Sequence, residues 1–187
     1  LRNTELFNGE AYGGWARDSV REVDIVSGCF LMIERKFWRE LGGFDPAFFM
    51  YGEEADLCLR ASTRGARPAV TPDAAIVHLG GASETARTAK MVRLLAAKTS
   101  LVTRHFHPLT RQIGIALLAA WPLTRFVALT LRAAVSRSAI DRTAASTWGE
   151  IWRQRAQWRN GYIERPNTLP PDDAAAVTPL HLTRSRF

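Results

Sequence analysis

The chain has 187 residues, of which 47% are hydrophobic, and carries a formal net charge of +7. That suffices for one modest domain with a buried core plus some helical material, and excludes two full-sized domains. Its two cysteines, Cys29 and Cys58, lie in apolar runs without CxxC or Cys/His zinc spacing, which argues against a disulfide framework and for a reducing compartment.

Residues 1–22 are polar and glycine-containing and read as loop, with Tyr12 and Trp15 as anchors. They hold no apolar run of signal-peptide type, and the missing start Met suits a fragment of a longer protein. Residues 23–33 (VDIVSGCFLMI) are nearly continuously apolar and predict a strand buried on both faces. Residues 35–41 predict a short helix closed by Gly42-Gly43. A Phe-rich loop over 44–52 leads into a helix over 53–64, whose first turn carries Glu53, Glu54 and Asp56 facing the positive end of the macrodipole. Short extended segments are predicted over 67–71 and 74–78.

From residue 86 the character changes. Residues 1–85 hold 9 Lys and Arg against 13 Asp and Glu, whereas residues 86–187 hold 16 against 5. A helix is predicted over 86–106 and broken at His107-Pro108. A second over 112–135 should kink at Pro122, which has no N–H to offer the Leu118 carbonyl. A third over 141–164 places Trp148, Ile151, Trp152, Trp158 and Tyr162 on one face. Residues 165–187, with four prolines and few large apolar groups, predict a disordered tail.

The most informative stretch runs Gly42-Gly43-Phe44-Asp45, then Phe48-Phe49-Met50-Tyr51-Gly52-Glu53-Glu54-Ala55-Asp56-Leu57, then Arg60. Three carboxylates within four residues, just after an aromatic loop, suit a general base acting on a hydroxyl. They suit equally a helix N-terminus decorated with acids, with Asp56 and Arg60 as an ordinary i, i+4 surface pair. His78 closes the apolar run Ala75-Ile76-Val77 before Gly80-Gly81. It fits either a metal or phosphate contact or a hydrogen-bonded structural histidine.

Taken together, Ser27-Gly28-Cys29, Gly42 to Asp45, Phe48 to Tyr51, Glu53 to Arg60, Pro72 and His78 to Ser83 resemble, in order and spacing, glycosyltransferase family 2, most of all its rhamnosyltransferase-like branch of cell-surface polysaccharide synthesis. The resemblance covers about residues 23–85. It implies an α/β fold: the C-terminal part of a GT-A-type α/β sandwich, followed by amphipathic, membrane-associated helices. It implies an inverting transfer from a nucleotide-sugar donor to a polysaccharide or lipid-linked glycan acceptor. Glu54 stands where the family usually has a catalytic Asp, and Glu53 or Glu54 would be the base. By the same resemblance Gly28 and Cys29 line the donor floor, Asp45 and Phe49 shape the acceptor side, and Asp56 with Arg60 braces the helix start. His78 would help hold a divalent metal, Mg or Mn, whose other ligands would come mostly from an N-terminal half. The family's Asp-x-Asp motif is absent from this chain, so the isolated chain is expected to be inactive.

The implied division is 1–85 as the C-terminal half of the transferase domain, 86–164 as a basic helical region and 165–187 as the tail. Residues 112–135 are long enough to span a bilayer, about 36 Å at 1.5 Å per residue. However, Arg111, Arg125 and Arg132 share one face, which favours a helix lying in an anionic membrane interface at the cytoplasmic face over one that spans. The tryptophan face of 148–162 suits the same headgroup layer, or else packing against protein. Arginines interleaved with long aliphatic runs disfavour nucleic acid. The competing expectation is a non-catalytic membrane-binding or scaffolding module with a degenerate transferase fold.

Overall fold

A computed structural model describes residue 12 and residues 14–78 and 87–162. Its elements in chain order are β1 (Arg21–Glu22), α1 (Arg35–Leu41), α2 (Glu53–Thr63), β2 (Ala69–Val70), α3 (Arg87–His105), α4 (Pro108–Ser136), α5 (Ala139–Arg153) and α6 (Arg155–Trp158). The predicted tail over 165–187 and the stretch Gly80 to Ser83 lie outside the described residues.

The N-terminal portion is mixed helix and strand, with one small sheet. β1 and β2 pair antiparallel, Arg21 opposite Val70 and Glu22 opposite Ala69. α1 ends at Gly42, whose φ of 76° is the left-handed cap that a side chain resists, and whose N–H returns to the Arg39 carbonyl. α2 turns Ala55, Leu57, Cys58 and Ala61 inward, and Leu57 and Ala61 pack with Leu41 over Leu31, Ile33, Phe37 and Trp38.

The strand expected over 23–33 does not form. The segment is irregular, and Ile25, Phe30 and Met32 are exposed, Met32 to 85%. A strand buried on both faces needs hydrogen-bonding neighbours and covering layers. Among the described residues the available partner, β2, pairs upstream of this run instead. The extended segment expected over 74–78 is likewise unpaired and exposed.

The C-terminal portion is helical. α4 begins with Pro108 in its first turn, where the missing N–H costs nothing, and continues through the buried Pro122 without interruption. Val92, Leu95 and Ala96 of α3 meet Trp148 and Ile151 of α5 and Trp158 of α6 in a second core. Trp158 is 1% exposed and its indole N–H donates to the Ile151 carbonyl at 3.0 Å. Burying side chains of this size stabilises by roughly 1.5–3 kcal/mol each. The tryptophan face therefore packs against protein and is not turned to a headgroup layer. The single helix expected over 141–164 is also divided, at Gln154, which lets Trp158 return to that core.

Within the arginine row of α4, Arg125 is used in the same way, whereas the Arg132 side chain is 71% exposed. Arg125 lies over the Trp121 and Trp148 rings at 5.5 and 5.2 Å, and Arg132 Nε meets Asp141 Oδ2 at 3.1 Å. An outward stripe beside this row, including Ile113, Leu117, Leu131 and Val135, is exposed and uncharged. Among the described residues α4 is the one helix long and apolar enough, by length and composition, to cross a membrane.

Candidate active site

The first turn of α2 places three carboxylates side by side and sends them different ways. Asp56 turns inward and is 1% exposed. Its Oδ2 accepts from Arg60 Nε at 2.7 Å, its Oδ1 lies 2.9 Å from His105 Nε2, and Arg104 Nη1 stands 3.9 Å away. Arg60 Nη1 and Nη2 donate to the carbonyls of Leu41 and Gly43, at 2.6 and 2.8 Å. One part-buried guanidinium thus ties α2 to the glycine turn after α1. The i, i+4 pair joins a network with a buried carboxylate at its centre, rather than lying free on the surface.

Asp45 sits at the other end of that turn. Its Oδ1 accepts from the Ala47 amide at 2.8 Å, and its Oδ2 pairs with Arg104. Burial by itself would raise its pKa. The Ala47 amide and the Arg104 guanidinium outweigh that and hold the carboxyl below the usual carboxylate range. Phe49, a few residues on, is 65% exposed.

Glu53 and Glu54 differ from Asp56 in having an idle oxygen. Oε2 of each is buried and has no hydrogen-bond partner among the described residues. Such an acceptor costs roughly 1–3 kcal/mol in an apolar setting unless something is meant to bind it. Gly28 lies directly against Glu54: a Cβ there would stand 3.3 Å from Glu54 Cβ and 3.5 Å from its carboxyl carbon. The glycine therefore lets the 26–28 backbone approach the carboxylate. Cys58, one turn along, is a buried thiol whose pKa burial pushes up, with the Glu54 charge acting in the same direction and the Val26 amide opposing. That thiol is protonated and inert. Cys29 lies in an exposed turn, 3.2 Å from the Ser27 hydroxyl.

His78 is exposed, and no group of three His, Cys, Asp or Glu side chains converges among the described residues. A magnesium or manganese ion takes about six ligands, mostly oxygen. The described residues do not by themselves fit a metal, and no chemistry below passes through one. A cavity of about 590 Å³ between the 23–33 segment and α2 is lined by Val26, Ser27, Cys29, Leu57 and Cys58 among others. Neither Glu53 nor Glu54 lines it.

Sequence reasoning missed Arg104, His105 and Tyr162. Arg104 and His105 stand 59 and 49 residues from the carboxylates they meet, and Tyr162 reaches the aromatic loop from 112 residues away. The one available signal was the pairing of two basic residues at the end of a helix that carries no acid.

Comparison with known proteins bears on this arrangement. The family described as "Glycosyltransferase like family 2" matches residues 15–113. "Rhamnosyltransferase WbbL" of Escherichia coli (strain K12) is 38% identical over 56 residues, 30% of this chain and 21% of that protein. "N-acetylglucosaminyl-diphospho-decaprenol L-rhamnosyltransferase" of Mycobacterium tuberculosis (strain CDC 1551 / Oshkosh) is 37% identical over 60 residues, 32% of this chain and 20% of that protein. The chain thus spans about a fifth of the length of the curated relatives it matches. No solved structure matches it.

Proposed function

The chain belongs to glycosyltransferase-like family 2, and from that premise we propose that it forms the acceptor side of a GT-A-type sugar transferase. Glu54, with Glu53 as the neighbouring alternative, takes the proton from an acceptor hydroxyl. The freed oxygen attacks the anomeric carbon and forms the new glycosidic bond. The bond from that carbon to the donor's diphosphate breaks, the nucleoside diphosphate leaves with the electron pair, and configuration inverts. The names of both relatives support rhamnose as the donor sugar, and that of the second supports L-rhamnose and a diphospholipid-linked N-acetylglucosamine as acceptor.

The observation that carries this reading is the buried Oε2 of Glu54, unpartnered among the described residues, on a side chain whose carbons pack against Gly28. A base must keep a lone pair for its substrate; Asp56 and Asp45 have already spent theirs on Arg60, His105 and Arg104, whereas Glu53 keeps an idle oxygen as Glu54 does. A divalent ion would draw on ligands beyond the described residues, with His78 the one ligand offered from this stretch. In the protein that contains this chain, Glu54→Gln is expected to lower transfer about 10²- to 10⁴-fold, the range of general-base catalysis. Undiminished transfer would sink the base assignment, and if Glu53→Gln alone abolished transfer the role would pass to Glu53. A wild-type protein that bound membranes without transferring sugar would favour the scaffolding alternative.

We also propose that α4 holds the protein on the cytoplasmic face of a membrane through its uncharged outer stripe, with Arg137, Arg142, Arg155 and Arg159, all exposed, meeting anionic headgroups. Co-sedimentation with anionic vesicles tests this. Binding should fall in an Leu117→Asp, Leu131→Asp double variant, and equal binding by the variant refutes the stripe as the contact.

A further inference from the structure

α6 does more than close the helical core. It delivers Gly161 and Tyr162 to the edge of the site. The Tyr162 hydroxyl donates to the Met50 carbonyl, with the Arg93 carbonyl 3.2 Å away. Its backbone N–H donates to the Ser100 hydroxyl at 2.7 Å. Its ring meets Phe48 edge-on at a centroid distance of 6.0 Å. Gly161 permits the approach. Its φ is 73°, and a Cβ there would lie 2.5 Å from Ser100 Oγ and 3.0 Å from Ser100 N.

The loop so held is strained. Tyr51, next to Met50, has φ 69°, a left-handed conformation that costs a bulky residue on the order of 1–2 kcal/mol and persists only where surrounding contacts impose it. Gly52 follows as the N-cap of α2, then Glu53 and Glu54. The position of Met50 therefore sets where α2 begins and where both glutamates stand. Burial raises the Tyr162 pKa, with the Glu53 charge acting the same way and the Arg93 charge opposing. The phenol stays a donor throughout the physiological range.

We propose that Tyr162 is a positioning residue for the 48–52 loop, and through that loop for acceptor binding beside Glu53 and Glu54. The helical layer is then part of the acceptor site as well as a means of attachment. This rests on the transferase reading above, and the test keeps the two apart.

Tyr162→Phe keeps the ring and its contact with Phe48 but removes the donor. In the protein that contains this chain, assayed with a nucleoside-diphosphate L-rhamnose and an N-acetylglucosaminyl-diphosphoryl lipid, the acceptor KM is expected to rise about 2- to 10-fold. That is the effect of one neutral hydrogen bond. The donor KM should not move. Amide hydrogen exchange over 48–54 should quicken by a similar factor while α4 and α5 are unchanged. Unaltered exchange at 48–54 overturns the clamp, and so does a uniform rise across α3 to α6, which marks a merely structural role. An unmoved acceptor KM, or equal rises in both KM values, overturns the positioning role. If the wild-type protein transfers no sugar from this donor, the choice of substrates fails, and the exchange experiment still decides whether Tyr162 holds the loop.

Discussion

Removing the Asp56 carboxylate should unsettle the site more than any other single change in α2. Asp56 is 1% exposed and accepts charge-assisted bonds from Arg60 Nε at 2.7 Å and His105 Nε2 at 2.9 Å. Arg60 would not be orphaned, because it keeps the Leu41 and Gly43 carbonyls. The loss is therefore the two bonds to a charged group, each about 1.5–3 kcal/mol, and Asp56→Ala is expected to cost about 3–5 kcal/mol. That is a large share of the roughly 5–15 kcal/mol that stabilises an ordinary domain. Asp56→Asn keeps the volume and one acceptor and should cost about half as much. Urea unfolding followed by tryptophan fluorescence reads this as a lower midpoint at constant slope. A loss below about 0.5 kcal/mol for Asp56→Ala would mean that the pair behaves as a solvated i, i+4 surface pair, and a stabilising network would be refuted.

Two further outcomes follow from the packing and the charges. Gly149→Ala would place a Cβ 2.8 Å from the Phe126 ring where α5 crosses α4. Overpacking of about 1–3 kcal/mol outweighs the roughly 1 kcal/mol gained in helix propensity, so the midpoint should fall, and Phe126→Leu in the same chain should restore it. Asp45 has a folded pKa below its ordinary value near 3.9. It therefore adds stability that is complete above about pH 5 and is lost as pH falls through the lowered folded value. Acid titration of exchange at the 43–47 amides should show loosening below about pH 4, and Arg104→Ala should flatten that dependence; an unchanged acid profile in Arg104→Ala would exclude the pairing as its cause.

The short-range features of this protein were legible from its residues. α1 and α2 stand where apolar spacing, closing glycines and, for α2, an acidic first turn put them, because caps and periodicity act within one or two turns. The ordered motifs from Ser27 to Ser83 likewise point to the family, and Glu54 and Gly28 are neighbours in space. The run 23–33 misled because apolar, β-branched composition describes a strand only when partners exist to pair with it.

What only the tertiary structure decided is which groups each charge and each aromatic face meets. Arg125 of α4 could face headgroups or tryptophans, and the same tryptophans could face lipid or α3. Burial of Trp148 and Trp158 against Leu95 resolved both, because rings of that size and a cation stacked on them lose more by separation than a lipid surface returns. Arg104, His105 and Tyr162 reach the acidic turn and its loop from 49 to 112 residues away. No local pattern encodes such a distance. Residue order determines the helices and the carboxylates they carry, and the closing of the helical layer over them determines which carboxylate oxygens remain free.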